Sequence, residues 1–411
     1  MNETDVAIIG GGPAGLAAAI KLRGRGHRVV VVERADAAGG VPRHTDHTGF
    51  GLRDLRQLLS GPSYANYYVA AARAAGVEIR TRTTATDWTA PTDLALTGPD
   101  GVRVLHARAV LLATGCRERP RAARLIPGTR PLGVFTTGTI QELVTRHRQR
   151  PGRAAVIVGA EHVSFSAILT LRHGGTTPIA MITEFAHDQT SAPFKSFTAG
   201  RHRVPIIPGS RLARILGARR VEAVEIARLD DGTLHRVACD TVVFTGDWIP
   251  DHELARSGNL RMDFATRGPH IDGAMRTSRR GVFAAGNLLH AAEPADIAAL
   301  SGRHAAAMIG EFLRTDTWPS RPAIPVHTQP PLAWISPSTI DPATPLCPRD
   351  RFILRVSRFC DDVGLIATQG TRDLWHRRFR RLVPNRSIYA SARWIGAVDP
   401  DGPPVVFRLS S

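Results

Sequence analysis

The chain has 411 residues, 43% hydrophobic and 22% charged. That is enough for about two to four globular domains, and neither disordered nor collagen-like. The formal net charge is +17, yet only Lys21 and Lys195 are lysine and the arginines run along the whole length, so the charge reads as a solvated surface and nucleic acid is not the expected partner. No apolar run reaches the ~18 residues of a membrane span, and the start is acidic rather than signal-like, so a cytoplasmic protein is expected. Cys116, Cys239, Cys347 and Cys360 never form C-x-x-C, which excludes a disulfide framework, a zinc ribbon and a cysteine-ligated cluster; no metal site is expected.

Residues 5–10 read D-V-A-I-I-G, a short buried strand. Gly10-Gly11-Gly12-Pro13-Ala14-Gly15 follows, then a helical pattern to Arg23 and a second strand, 29–32, ending at Glu33. This is a dinucleotide fingerprint in its proper context. Gly10 permits the turn, Gly12 lets backbone approach a pyrophosphate, and Gly15 lets helix meet strand. The helix N-terminus offers free N–H groups to phosphate. Glu33 suits the ribose hydroxyls and opposes a 2′-phosphate. Arg34, Gly40 and Ala85 complete the residues expected near the cofactor on this side. The fingerprint alone does not separate NAD from FAD.

Two later segments do. Residues 109–115 read A-V-L-L-A-T-G, a strand with a turn at Thr114-Gly115. Residues 277–287 read T-S-R-R-G-V-F-A-A-G-N, ending at Gly286-Asn287. With the G-G-G-P-A-G start, these segments resemble the two-dinucleotide-domain flavoproteins, the pyridine nucleotide oxidoreductase family of glutathione and thioredoxin reductases. The resemblance implies FAD at the first fingerprint and Asn287, aspartate in most members, at the ribityl chain and pyrophosphate. The segments G-C-R-E-R from Gly115, I-P-G-T-R-P from Ile126 and G-D-W-I-P-D-H-E-L from Gly246 are similar to one subgroup. It includes the flavoproteins that accompany glycerol-3-phosphate dehydrogenases and the FAD subunits of hydrogen cyanide synthase and opine or amino-acid dehydrogenases. The resemblance covers roughly residues 5 to 312.

A second strand–turn–helix begins at Ala154, with Gly159-Ala160-Glu161-His162-Val163-Ser164 at the turn and Glu184 after the next strand. Glu161 and Ser164 stand where the fingerprint demands glycine. A carboxylate facing pyrophosphate at ~4 Å would repel it by ~4 kcal/mol at an effective dielectric near 20. Glu161 is expected either to face the phosphates or to turn out to an arginine, and Ser164 to push the helix off the strand. This domain is therefore expected to keep its fold but to bind NAD(P) weakly or not at all.

The family's redox cysteines are missing. Their place after the second strand reads G-G-V-P-R-H-T-D-H, from Gly39 to His47. Disulfide reduction needs two adjacent thiols and is not expected. His47 on this loop and His290 after Asn287 are the acid–base candidates. Asp296 reads as a helix cap.

Residues 318–348 are proline-rich and read as a linker. Beyond them, five alternating or β-branched stretches, 352–358, 363–368, 375–383, 387–395 and 405–409, read as a small antiparallel β domain. The expected class is α/β, with two Rossmann-like three-layer domains, the second inserted in the first, and the β domain at the C-terminal end. The expected division is 1–125 and 251–317 for the FAD domain, 126–250 for the insert, 318–348 for the linker and 349–411 for the β domain. The favoured function is an FAD-dependent dehydrogenase or electron-transfer subunit for the oxidation of a small amine, amino acid or polyol. It would work with a partner dehydrogenase or electron-acceptor subunit. The alternatives are an NAD(P)H-dependent flavin reductase, with Glu184 favouring NADH, and a non-catalytic flavin-fold subunit.

Overall fold

A computed structural model describes residues 3–291, 293–319 and 323–410. The first strand, Glu3–Ile9, lies between Val29–Val32 and Gly101–Leu112 and is parallel to both. All four valines of Val29–Val32 are buried, as a strand covered on both faces requires. Glu78–Arg80 extends that edge in parallel, and the antiparallel strands Thr84–Trp88 and Leu94–Gly98 join the first half of Gly101–Leu112. The end of that long strand takes Val282–Ala284 as a parallel neighbour. The chain leaves the sheet after Leu112 and returns at Val282. Exit and return are tied together by Cys116–Glu118 pairing antiparallel with Trp248–Pro250.

The first helix, Pro13–Arg23, packs against the long helix Ala295–Thr315. Small residues permit a close crossing. A Cβ on Gly302 would lie 2.0 Å from the Ala14 carbonyl oxygen, and one on Gly286 would lie 2.8 Å from the Ala14 Cβ.

The inserted sheet is wholly parallel, in the order Val134–Thr136, Thr241–Phe244, Ala154–Val158, Thr177–Ile182, Ile206–Ile207. Strand alternation gives it two apolar faces. Ala155 and Ile157 join Phe165, Ile168 and Leu171 of the helix His162–His173. Val156 and Val242 join Leu212, Ile215 and Val224 of an antiparallel three-stranded meander, Ser210–Leu216, Ala223–Arg228 and Leu234–Ala238. Three layers result.

The five C-terminal strands are present, as Arg351–Val356, Cys360–Gln369, Arg372–Leu382, Ile388–Ser391 and Val405–Ser410. They fold as two sheets about Phe352, Trp394 and Phe407. The segment read as a linker is not one. It holds strands Ile324–Thr328, Leu332–Ser336 and Thr339–Ile340, all paired into these sheets, although residues 320–322 lie outside the described set. Its prolines mask the alternation without breaking the ladders. Pro325 lies opposite Thr339 in a two-residue edge pairing, and Pro337 follows the last residue of a strand. One pairing, Val326–Thr328 with Val405–Phe407, is parallel, so the C-terminal sheets are not purely antiparallel.

Charge fastens this β unit to the first sheet's domain. Arg276 reaches Asp272 at 2.7 Å and Asp341 at 2.6 Å, all three buried or nearly so. Arg355 pairs with Glu293 at 3.2 Å.

The helix crossing gives a prediction. Gly302→Ala must push backbone aside and is expected to cost ~1–3 kcal/mol in urea unfolding. Gly396→Ala, where a Cβ meets nothing within 4 Å, should stay within about 0.5 kcal/mol of the parent.

Candidate functional site

The first strand–helix turn is closed by backbone. Gly10 has φ +111°, and a Cβ there would lie 2.3 Å from the Ala113 carbonyl oxygen. A Cβ on Gly15 would lie 2.0 Å from the Gly10 carbonyl oxygen. Gly12 differs: its nearest neighbour is the Gly40 Cα at 3.9 Å, so its surface stays open. Gly40, at φ +64°, carries the following loop over the turn, and Gly39 N–H donates to the Gly11 carbonyl at 2.7 Å. Pro13 opens the helix, with no side-chain cap and no acid in the first turn, so the helix dipole faces unopposed space beside Ala14 and Gly15. This cradle fits an anionic pyrophosphate.

Glu33 is 9% exposed. One carboxylate oxygen accepts Gly11 N–H at 2.9 Å and the other accepts Ala35 N–H at 2.8 Å, leaving lone pairs for ribose hydroxyls. Beside it lies a cleft of about 230 Å³ bordered by Asp36, Ala38, Val77, Ile79 and Thr81. Arg34 pairs with Asp251 at 2.9 Å, and Ala85 lies opposite Leu96 in the antiparallel pair Thr84–Trp88 and Leu94–Gly98. Asp251, which the sequence reading missed, fastens the Thr114-Gly115 turn: its N–H donates to the Gly115 carbonyl at 2.9 Å and its carbonyl accepts the Thr114 hydroxyl at 2.7 Å. Its carboxylate also holds Arg117. The only foreshadowing of this was the Gly246–Leu254 motif that contains it.

Gly286 N–H donates to Ser301 Oγ at 3.0 Å. Both polar atoms of the Asn287 amide close on the backbone of Glu293: Nδ2 donates to its carbonyl at 3.1 Å and Oδ1 accepts its N–H at 3.0 Å. An aspartate has no donor for that carbonyl, which is a physical reason for an amide here. Asn287 is thereby braced against Glu293.

The second cradle is filled. Gly159 again donates to the neighbouring strand, at Ile182 O, 2.8 Å. Glu161, however, turns neither toward open space nor out to an arginine; it folds inward and is 6% exposed. Its Oε2 accepts hydrogen bonds from the Ser164 hydroxyl and, at 3.3 Å, from Thr245 Oγ1; its Oε1 is buried without a partner. Burial pushes its pKa up. Ser164 is fully buried at the third-glycine position because its hydroxyl is satisfied by Glu161 and Thr245, so helix and strand stay packed around it. Nearby, Glu118 accepts Gly138 N–H at 3.0 Å, and burial raises its pKa too. Glu184 is exposed and, among the described residues, makes no hydrogen bond comparable to those of Glu33.

His47 is half-buried, its Nδ1 2.8 Å from the Thr48 carbonyl and its ring 5.5 Å from Phe50. His290 is buried, stacked on Trp334 at 4.9 Å, and desolvation pushes its pKa down to about 4, so the imidazole is neutral. No hydrogen bond or ring contact links the two histidines. Asp296 lies in the first turn of the long helix rather than capping it, and holds Arg53 at 3.1 Å.

Two nested dinucleotide-binding folds, one cradle open and one filled, define an oxidoreductase of the flavin-binding kind. The chain belongs to the pyridine nucleotide-disulphide oxidoreductase family, whose model matches residues 4–302. It is 28% identical over 331 residues to an opine oxidase subunit from Rhizobium meliloti (strain 1021), covering 74% of this chain and 70% of that one. It is also 28% identical over 301 residues to a ferredoxin–NADP reductase from Salinispora tropica, covering 70% and 87%. The fold matches a thioredoxin reductase of T. acidophilum with a TM-score of 0.64 at 19% identity, over 77% of this chain and all of that one. Among the described residues, no helix is long and apolar enough to cross a membrane.

The raised pKa of Glu161 sets a pH dependence. The folded chain holds this proton after an unfolded one has lost it, near an ordinary value of about 4.3, so stability falls as pH rises through that window. Glu161→Gln removes the loss. Its melting temperature should exceed that of the parent at pH 8, with the gap closing by pH 4; an unchanging gap would contradict the assignment.

Proposed function

We propose that the chain is an FAD-dependent dehydrogenase or electron-transfer subunit that oxidises a small amine, amino acid or polyol without using NAD(P)H. The reading is carried by the contrast between the cradles: one open and anion-seeking at Gly12, the other closed by the chain's own Glu161. The backbone of Gly12, Ala14 and Gly15, with Pro13 fixing the helix start, would hold the FAD pyrophosphate. Glu33 would hold the ribose, and the cleft between Asp36 and Thr81 the adenine end. Gly115 and Gly286 would border the remainder. Bound FAD supplies a two-electron acceptor for substrate hydrogen.

What the chain itself does is orient and exclude. The loop from Gly39 to His47 covers the turn, and the β unit closes the side beyond Asn287. Neutral His290 has too low a pKa to hold a proton at neutral pH, so His47 is the better acid–base candidate. Disulfide exchange is not proposed, because no C-x-x-C exists. A relative named as one subunit of an opine oxidase supports a partner subunit that supplies or receives electrons.

The second reading, an NAD(P)H-dependent reductase, draws on the ferredoxin–NADP reductase likeness and on Glu184. Anaerobic mixing separates the two. The purified protein should be yellow and keep its colour at millimolar NADH or NADPH; rapid bleaching would favour the second reading. Under the first reading, Glu161→Gly should gain NADH affinity. Glu33→Ala removes the charged acceptor for the ribose hydroxyls, whose hydrogen bonds are worth ~1.5–3 kcal/mol each, so FAD affinity should fall at least tenfold.

A further inference from the structure

We propose that the strand Arg372–Leu382 is a docking edge for a second protein, which lays an extended segment rich in glutamate or aspartate beside it. The inference goes beyond the flavin reading and does not rest on it. The five-stranded sheet of the β unit is finished differently at its two ends. One end is Thr339–Ile340, two residues long. The other is Arg372–Leu382, 11 residues long, with Cys360–Gln369 as its one strand neighbour among the described residues. Strands average about five or six residues, and short edge strands discourage pairing with another chain. A long edge with open N–H and C=O groups is a template for a further strand. The register against Cys360–Gln369 is regular from Trp375 to Leu382, so the open groups recur there at every second residue.

Charge decides what can use this edge. From Arg377 to Arg381 every residue but Phe379 is arginine, and all four arginines are exposed, as is His376 before them. By strand alternation His376, Arg378 and Arg380 share one face, where Arg378 lies opposite side-chain-free Gly364. Arg377 and Arg381 take the other face, each steadied over an aromatic ring, Phe379 and Phe359, at 5.0 Å. Asp361 and Asp362 are the acids of the neighbouring strand, and of these Asp361 meets Arg381 at 3.5 Å. Arg378 and Arg380 have no ion pair or hydrogen bond among the described residues. Asp373 lies outside the regular stretch.

A second copy of this chain, pairing edge to edge, would set these arginines against themselves, and like charges across a strand pair are destabilising. Nucleic acid would meet the guanidinium groups but brings no row of main-chain amides for the open carbonyls. An acidic extended polypeptide supplies both. Its amides and carbonyls continue the ladder, and its carboxylates, alternating up and down, reach the arginines on either face.

The test is fluorescence anisotropy of the full chain at low salt with two labelled peptides. One is E-V-E-E-V-E-E-V. The other is the same peptide N-methylated at its four central residues, which keeps the charge but blocks both of its edges. The parent should bind the first about tenfold or more tightly than the second, and hydrogen exchange from Trp375 to Leu382 should slow when the first is added. Arg378→Glu with Arg380→Glu should weaken binding of the first by about tenfold or more. Arg130→Glu with Arg201→Glu, which changes exposed residues of the insert by the same charge, should stay within about twofold of the parent. Arg378→Gln with Arg380→Gln removes charge without reversing it, so it should fold even if the reversed pair does not, and should bind about threefold or more weakly. Equal binding of the two peptides overturns the proposal, because charge alone would then be read, as a nucleic acid would read it. Unchanged binding in the Arg378 and Arg380 variants, or no binding by the parent, also overturns it.

Discussion

Backbone meets backbone at the first strand–helix turn, and no side chain fits between the segments that meet there. Gly10 lies against the Ala113 carbonyl, Gly15 against the Gly10 carbonyl, Gly40 against the Gly12 Cα, and Gly302 against the Ala14 carbonyl. Each contact brings a distant stretch of chain to one point: the long strand, the first helix, the covering loop and the late long helix. A single added methyl group at any of them moves backbone, not a flexible side chain. The placement of Glu33, Thr114 and Gly286 around a shared space follows from this closure.

The two cradles differ in where each places one acid. Both have the parallel strands, the turn glycine and the helix start. In the first, the acid lies at the end of the second strand and braces the turn from beside it. In the second, the acid is on the turn itself and occupies the space. Burying that carboxyl is unfavourable when it is charged, and the serine and threonine hydroxyls around it only partly compensate, since one oxygen has no partner. The second domain is thus held together at this turn by a polar contact of its own side chains.

The α/β architecture was legible because its signals are local. Glycine spacing, four buried valines and terminal Glu33 lie within about thirty residues, and period-2 patterns mark the β strands beyond Arg351. The proline-rich strands from Ile324 to Ile340 were not legible, because proline hides alternation even where it spares the ladder. Asn287 could be located but not understood, since its partner is the backbone of Glu293. Glu161 was recognised as an anomaly, while its inward turn depends on Thr245, a long way off in sequence.

The return of Val282 to the strand ended by Leu112 has a consequence for how the molecule is assembled. A parallel pairing across so wide a sequence gap carries a large loop-closure cost if the gap is slack. The inserted sheet and its meander, from Val134 to Phe244, are contiguous in the chain. They can form first and shorten the effective loop, with Cys116–Glu118 and Trp248–Pro250 drawing the two crossings together. During synthesis the first sheet would then wait, short of a central neighbour and of its covering helix, until residues near 315 have emerged. The part of the chain made first would be among the last to become native.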